Sequence, residues 1–182
     1  YTMSASQAGC TTNMTGSASV YTPPANQTFQ NFGTQCPSAN IGLLNTELGV
    51  VYQVLQGGVP KAGYSFVGTG AAMLNIFTVS DAGVYTILAT SPIGGCNTTL
   101  AQSLTVQAQP STQVMSVNKT SYCSFPNTGV TLTLPASDAG VSYELHKNTV
   151  PTGNIKPGGG VLTWLNLDAG SYDVYATNTG GC

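Results

Sequence analysis

The sequence predicts an all-β protein, and three observations support this. The 182-residue chain contains 22 glycines and 10 prolines, which favour turns, while the frequent Thr, Val and Tyr favour strands. Short apolar runs alternate with polar residues at a period of two, as in strands with one buried face. No stretch of ten or more residues has the 3.6-residue apolar period of an amphipathic helix. We therefore expect short strands, separated by turns and packed as a β-sandwich.

Charged residues are scarce, and this excludes several classes of function. They make up 5% of the chain, against roughly 25% in an ordinary soluble domain. Four lysines, no arginine and a net charge of −2 cannot build the basic surface that nucleic acid or an anionic membrane requires. No apolar run reaches the roughly 18–20 residues of a membrane-spanning helix. The apolar content of 41%, arranged in alternating runs, argues for a folded chain over a disordered one.

Four strands are predicted in the last third of the chain from period-two alternation. They cover residues 129–134, 141–145, 160–167 and 171–176. Trp164 alternates with Leu162 and Asn166 on one face or pairs across sheets, so we expect its ring to be buried, and stacking on carbohydrate is the alternative. The segment Pro157-Gly158-Gly159-Gly160 lacks the Lys and the helix of a phosphate-binding loop, and it is predicted to be a turn.

Five cysteines mark an internal repeat: Cys10, Cys36, Cys96, Cys123 and Cys182. Every second cysteine recurs after 86 or 87 residues (96 − 10 = 86, 123 − 36 = 87, 182 − 96 = 86). Local motifs recur in the same order: residues 49–55 with 140–146, 59–60 with 150–151, 81–85 with 168–172, and 94–96 with 180–182. A shared order of several motifs indicates tandem copies of one structural unit.

The predicted disulfides are Cys36–Cys96 and Cys123–Cys182, one in each repeat. Each would close a loop of about 60 residues and stabilise its repeat by on the order of 4 kcal/mol. Cys10 would then pair with a cysteine upstream of the sequence. Five reduced core thiols are the alternative, but regularly spaced cysteines in a charge-poor β chain favour an oxidising compartment.

Two Asp-x-Gly-x-Tyr motifs resemble the tyrosine corner of immunoglobulin-like sandwiches, where the Tyr hydroxyl bonds to upstream backbone at the start of strand F. Their residues are Asp81, Gly83 and Tyr85, and Asp168, Gly170 and Tyr172. Ile87 and Val174 replace the cysteine of antibody domains, and Tyr52 and Tyr143 replace the strand-C Trp. We therefore expect each bridge near one pole of the sandwich and not through its core.

The predicted domains follow from this repeat. Residues 1-24 would supply the last two strands (F and G) of a preceding immunoglobulin-like repeat, with strand G at residues 17–21. Residues 25-109 would form a complete repeat, with strand G at 100–107, and residues 110-182 a repeat that lacks its final strand. The segments 23–27 and 107–111 contain Pro and predict short, semi-stiff linkers. The sequence is interpreted as a window from a longer repeat array, and strand donation between subunits is the alternative.

The motif series in residues 140–145, 150–151 and 168–182 resembles a known family of repeats. Gly-Val-x-Tyr-x-Leu, Val-Pro and Asp-Ala-Gly-x-Tyr-x-Val-x-Ala-Thr-Asn-x-Gly-Gly-Cys are similar to the Ig-like repeats of giant Bacteroidetes surface adhesins. The likeness is greatest to gliding-motility adhesins, which are type 9 secretion substrates. The resemblance implies an extracellular filament at the cell surface whose partners are neighbouring repeats of the same chain and a surface polysaccharide or substratum.

No catalytic, cofactor-binding or metal-ligating residues are predicted. His146, the only histidine, is expected at an exposed strand end without a nucleophile or an orienting acid beside it. Calcium sites need several converging carboxylates, whereas Glu47, Asp81, Asp138 and Asp168 are isolated in sequence.

Three hypotheses on function remain open, and none of them makes this chain an enzyme. The first is a structural stalk that extends an adhesive region from the cell. The second is a module that binds glycan or protein through its own loops, and the third is an accessory domain of a secreted enzyme.

Overall fold

A computed structural model describes residues 3–119 and 129–182 of the chain. These residues form sixteen strands and contain no helix, which confirms the all-β prediction. The strands are β1 (Ser4–Gln7), β2 (Cys10–Asn13), β3 (Gly33–Gln35), β4 (Ala39–Leu43), β5 (Val51–Gln56), β6 (Val59–Val67), β7 (Met73–Val79), β8 (Gly83–Thr90), β9 (Asn97–Thr99), β10 (Leu104–Val106), β11 (Ser116–Val117), β12 (Val130–Leu134), β13 (Val141–Lys147), β14 (Val150–Pro157), β15 (Leu162–Leu167) and β16 (Tyr172–Asn178).

The strands form several separate sheets. The largest has the order β3-β10-β8-β5-β6, with β9 paired to β8, and smaller sheets are β1-β2, β4-β7, β11-β12-β15 and β14-β13-β16. Strand β5 pairs antiparallel with β6 and β8, and β13 pairs antiparallel with β14 and β16. Antiparallel sheets of this kind can bury one face and leave the other in water, which suits the alternating sequence.

The chain divides into two compact units. The first contains Tyr1–Gly33, Asn40–Thr78 and Val84–Leu104, and the second contains Thr34–Ala39, Val79–Gly83 and Thr105–Cys182. Residues 34–39 therefore belong with the second half of the chain. The predicted domain boundaries after residues 24 and 109 stay predictions.

The core of the first unit is built from the inward positions of its strands. Tyr52 and Val54 on β5 are fully buried, and the register places Tyr52 opposite Ala89 on β8. Other fully buried residues of this unit are Phe29, Ile41, Leu43, Tyr85, Ile87 and Leu104. Because side chains alternate across a strand, each apolar residue of the two-residue period reaches this core.

Among the residues that the structure describes, the core of the second unit is smaller. Its buried cluster consists of Leu132, Leu134, Val141, Tyr143, Leu145 and Trp164. Trp164 on β15 is 1% exposed and lies opposite Leu132 of β12, which confirms the expected burial of its ring. Residues 158–161 connect β14 to β15 without strand structure, as predicted for the glycine-rich turn.

Strand predictions in the second unit agree with β12, β13, β15 and β16, but β14 was missed. Pro151, Gly153 and Pro157 interrupt its pattern. Strand β14 lies at the edge of its sheet, where a proline removes no interior hydrogen bond and is tolerated.

Two predicted G strands differ from the structure. Residues 17–21 form no strand, and Val20 and Tyr21 are exposed, so this short alternation has no packed face. The predicted strand at 100–107 is interrupted, and only β9 and β10 form around it. Between them, Ala101 N donates to Asn26 Oδ1 (2.8 Å), and this side-chain bond replaces the ladder pairing.

The predicted disulfide pairing is wrong. The one disulfide found in residues 3–119 and 129–182 joins Cys36 to Cys182, with a Cα–Cα distance of 5.4 Å. Cys96 is a half-exposed free thiol, Cys10 is an exposed one, and Cys123 lies outside the described residues. The reason is spatial, because residues 34–39 belong to the unit that contains Cys182, whereas Cys96 belongs to the other unit.

Candidate functional site

The turn before β5 holds the preceding linker through a carboxylate. Glu47 Oε1 accepts hydrogen bonds from Ala25 N (2.6 Å) and from Gln27 Nε2 (3.4 Å). The backbone N of Glu47 donates in turn to the hydroxyl oxygen of Tyr52 (2.9 Å). We call Ala25, Glu47 and Tyr52 the first clamp, because they tie a linker residue to a turn and the turn to a fully buried tyrosine.

The turn before β13 repeats this arrangement in the second unit. Asp138 Oδ2 accepts from Ser111 N (2.7 Å), and Asp138 Oδ1 accepts from Ser111 Oγ (2.8 Å). Asp138 N donates to the Tyr143 hydroxyl oxygen (2.8 Å). Ser111, Asp138 and Tyr143 form the second clamp.

The two clamps share their spacing as well as their bonds. Acid and tyrosine are five residues apart in both (52 − 47 = 5, 143 − 138 = 5), and the linker residues differ by one repeat period (111 − 25 = 86). A charge-assisted hydrogen bond from a backbone N–H to a carboxylate is about twice as strong as a neutral one. Each clamp therefore ties a segment predicted to be a linker to the turn before β5 or β13.

A glycine faces each clamp at close range. Gly68 N donates to Val50 O (2.8 Å), and Gly158 N donates to Val141 O (2.7 Å). A Cβ at Gly68 would overlap the carbonyl oxygen of Glu47, and one at Gly158 would overlap that of Asp138. These positions need glycine because backbone approaches backbone, and not because of an unusual φ.

Hydrogen bonds and burial shift the pKa values of two clamp residues, Asp138 and Tyr52. The hydrogen bonds from the Ser111 hydroxyl and backbone hold the pKa of Asp138 below its ordinary value. Burial of the Tyr52 ring raises the pKa of its hydroxyl, so the group stays protonated at neutral pH. The oxygens of Glu47 and Asp138 accept hydrogen bonds from the predicted linkers, an arrangement that positions backbone.

The second Asp-x-Gly-x-Tyr motif forms a network at the start of β16. The Tyr172 hydroxyl donates to Asp168 Oδ1 (2.6 Å) and lies 3.2 Å from the Asp168 carbonyl oxygen. Lys147 Nζ lies 2.7 Å from Asp168 Oδ1, and a Cβ at Gly170 would overlap the Lys147 side chain. The bond from Lys147, followed by that from Tyr172, lowers the pKa of Asp168 to about 2.

The first motif lies in different surroundings. Tyr85 is fully buried on β8, and Lys61 Nζ lies 6.0 Å from the centroid of its ring. Asp81 is exposed, and Gly83 is the first residue of β8 with a φ of 149°. The same motif therefore gives a buried tyrosine in the first unit and a half-buried one in the second.

His146 is not the exposed residue that its sequence position predicted. Its ring stacks on Tyr175 with the centroids 4.1 Å apart, and 12% of its side chain is exposed. Its Nε2 lies 3.8 Å from Glu144 Oε2, and its buried Nδ1 has no hydrogen-bond partner among the described residues. The stacking explains the burial, since alternate residues of neighbouring strands share one face.

Within residues 3–119 and 129–182, no three His, Cys, Asp or Glu side chains lie close enough to hold a metal ion. The same residues include no helix that is long and apolar enough to cross a membrane.

Comparison with known proteins adds no family. No family model matches the chain, and no curated protein matches it.

Proposed function

We propose that this chain is a structural, adhesive repeat segment of a long extracellular filament or adhesin stalk at the cell surface. In this proposal, tandem immunoglobulin-like sandwiches hold a binding region away from the cell during surface attachment or gliding. The observation that carries it is the recurrence of one clamp in both units, at Glu47 and again at Asp138.

The clamps support a load-bearing role by where they lie. Each connects the N–H of a residue that follows a proline, Pro24 or Pro110, to a turn of the folded unit. Tension along a repeat chain enters each unit through its linker, so a bond at that point delays separation of the linker from the sheet. Proline beside it limits the extension of the linker, because its φ is fixed.

The covalent bridge adds to this support. Cys36 and Cys182 are 146 residues apart in sequence, so tension applied outside them passes through the disulfide, and the second clamp bears load only when that bridge is reduced. That loop, fully extended, would contribute on the order of 500 Å of length at about 3.3–3.6 Å per residue. Because the disulfide prevents this extension, a stalk keeps its length under tension.

Single-molecule stretching of the whole chain with the Cys36–Cys182 disulfide reduced tests the proposal, because tension then reaches Ser111 and Asp138. We expect Asp138→Ala to lower the unfolding force of the second unit, since it removes the acceptor of Ser111 N. The matched control is Asp173→Ala, which removes the same charge from β16 and leaves the clamp intact. Equal unfolding forces for the two variants would show that the clamp bears no load.

A glycan and protein array with the isolated chain separates a stalk from a binding module. A stalk segment gives no specific retention on the array. Specific retention that free ligand abolishes would favour the binding module over the stalk. The candidate binding site is then a groove of the second unit lined by Pro110, Met115, Leu134 and Val174.

A further inference from the structure

We propose that Cys96 is a bridging thiol. It forms a disulfide with the cysteine that corresponds to Cys36 in another copy of this repeat. Bridges would then run from the first cysteine of one repeat to the second cysteine of the next repeat, and not within a repeat. This deepens the proposed function, because it rests on the chain being part of a repeat array.

The template is the bridge between Cys36 and Cys182. By sequence, Cys36 is the first cysteine of one copy, and Cys182 is the second cysteine of the following copy. Their separation of 146 residues equals one period plus the spacing within a copy (86 + 60 = 146). Cys96 lies one period before Cys182 (182 − 96 = 86). It therefore occupies the position in the preceding copy that Cys182 occupies in the following one.

Three pieces of chain meet around Cys182. The first is the turn Gly180-Gly181-Cys182, and the second is Gln107, because a Cβ at Gly180 would come within 2.7 Å of Gln107 Cγ. The third is the segment that carries Cys36. There, Thr34 Cγ2 lies 3.2 Å from the same Cβ position, and Gln35 O accepts from Gln107 N (2.9 Å).

Two of these three pieces recur around Cys96. A Cβ at Gly94 would overlap the ring of Tyr21, and the two separations are equal (94 − 21 = 73, 180 − 107 = 73). The Cys96 thiol also lies 3.6 Å from Tyr21 O. Tyr21 therefore occupies the position next to Cys96 that Gln107 occupies next to Cys182. The third segment, which corresponds to residues 34–36 and carries the partner cysteine, would come from another copy.

The turns that carry the two cysteines share two features. Cys96 O accepts from Ser91 N (2.8 Å), and Cys182 O accepts from Asn178 N (2.9 Å). Gly95 and Gly181, directly before the cysteines, both have positive φ, 67° and 81°. The preceding glycines differ, since Gly94 has a φ of 76° and Gly180 has no positive φ, so the two turns are related but not identical.

The chemistry requires an oxidant, and we assign an exchangeable disulfide of the oxidising compartment. The Cys96 thiolate attacks one sulfur of that disulfide, forms a mixed disulfide and releases one thiol. The thiolate of the second cysteine then attacks Cys96 Sγ and releases the other thiol. Two thiols lose two protons and two electrons, and the oxidant disulfide is reduced to two thiols.

Disulfide mapping of the whole oxidised chain is the first test. Proteolysis without reduction, followed by mass spectrometry, is expected to give a Cys36–Cys182 peptide pair, with Cys96 alkylated by iodoacetamide. Recovery of Cys36–Cys96 or Cys123–Cys182 pairs would overturn the proposal, and so would a mixture of pairings.

The second test supplies the missing partner. In a polypeptide of residues 1–182 followed by residues 11–182, the repeat period continues, because Cys10 and Cys182 occupy the same position in the repeat. We expect Cys123 of the first copy to pair with Cys96 of the second copy, and Cys36–Cys182 to form in each. Pairing of Cys123 with Cys182 would overturn the inference.

A matched pair of variants sharpens the second test. Cys96→Ser in the second copy is expected to leave Cys123 of the first copy fully alkylated, with both Cys36–Cys182 bridges unchanged. The control, Cys10→Ser, is expected to change no bridge. If Cys123 finds another partner in the Cys96→Ser variant, the pairing is not specific and the proposal fails. None of these outcomes depends on whether the chain binds a ligand, so failure here is distinguishable from failure of the stalk.

Discussion

Strands β8 and β16 occupy the same place in the repeat but differ in how they are covered. Their inward positions are Tyr85, Ile87 and Ala89 on β8, and Tyr172, Val174 and Ala176 on β16. The three on β8 are fully buried, whereas the three on β16 are only partly buried. Strand β8 pairs with β5 on one side and with β9 on another, while β16 pairs with β13 and ends its sheet.

The difference shows how much of a repeat depends on the strands that follow its second cysteine. After Cys96, Leu100 N donates to Ile87 O (2.8 Å), and Leu100 and Leu104 are buried. The second unit has a groove beside Val174 and Ala176 instead. An open sheet edge next to apolar side chains favours pairing with another strand. The second unit is therefore expected to be the less stable one.

Removing the Trp164 ring should give the largest effect, because the buried cluster of the second unit has six members. We expect Trp164→Ala to lower the free energy of unfolding of this unit by about 3–5 kcal/mol. Leu165→Ala is the control, since its side chain is on the same strand but 64% exposed. Urea denaturation measures both, and similar losses for the two variants would contradict a core centred on Trp164.

Adding a side chain at the clamp glycines tests where the two units are alike. A Cβ at Gly158 would overlap the Asp138 carbonyl oxygen, so Gly158→Ala is expected to cost about 1–3 kcal/mol through overpacking. Gly68→Ala should cost a similar amount in the first unit. Gly160→Ala is the control, because nothing lies within 4 Å of its Cβ position. A large difference between Gly68→Ala and Gly158→Ala would mean that the clamps are not equivalent.

Supplying the second unit with a copy of the strands that cover β8 tests the comparison directly. We expect residues 97–107, appended after Cys182, to raise the free energy of unfolding of the second unit by about 2 kcal/mol, net of the entropy of ordering the added strand. Hydrogen exchange of the β16 amides should slow toward that of β8. The same extension with its two buried leucines changed to Ser is the control. Equal protection with both extensions would show that the edge of β16 is not completed by this segment.

Alternation along single strands was enough to predict β12, β13, β15 and β16, because the two-residue period is local. It missed β14, whose prolines hide an edge strand. The clamps were also missed, since Glu47 and Ala25 are 22 residues apart and Asp138 and Ser111 are 27 apart, with no local pattern joining them. The equal spacing of acid and tyrosine was a usable signal for those contacts.

Cysteine spacing predicted the repeat and failed on the partners for the same reason. The spacings fix the period, but they are equally compatible with bridges within a copy and bridges between copies. Deciding between them requires knowing which pole of a unit each cysteine occupies. That depends on how residues 34–39 pack beside the end of β16, and long-range packing of this kind leaves no trace in a local pattern.

Acid should produce the smallest of these effects and weaken the second unit through Asp138 and Asp168. The pKa of Asp138 is lowered by its Ser111 bonds, and that of Asp168 falls from 3.8 to about 2 through Lys147 and then Tyr172. A carboxylate with a lowered pKa stabilises the folded state above its unfolded pKa, and this contribution is lost as the pH falls through the folded pKa. Thermal unfolding should therefore shift downward between about pH 4 and pH 2. Asp138→Asn and Asp168→Asn should each flatten the shift, while a profile unchanged in the double variant would assign it to other groups.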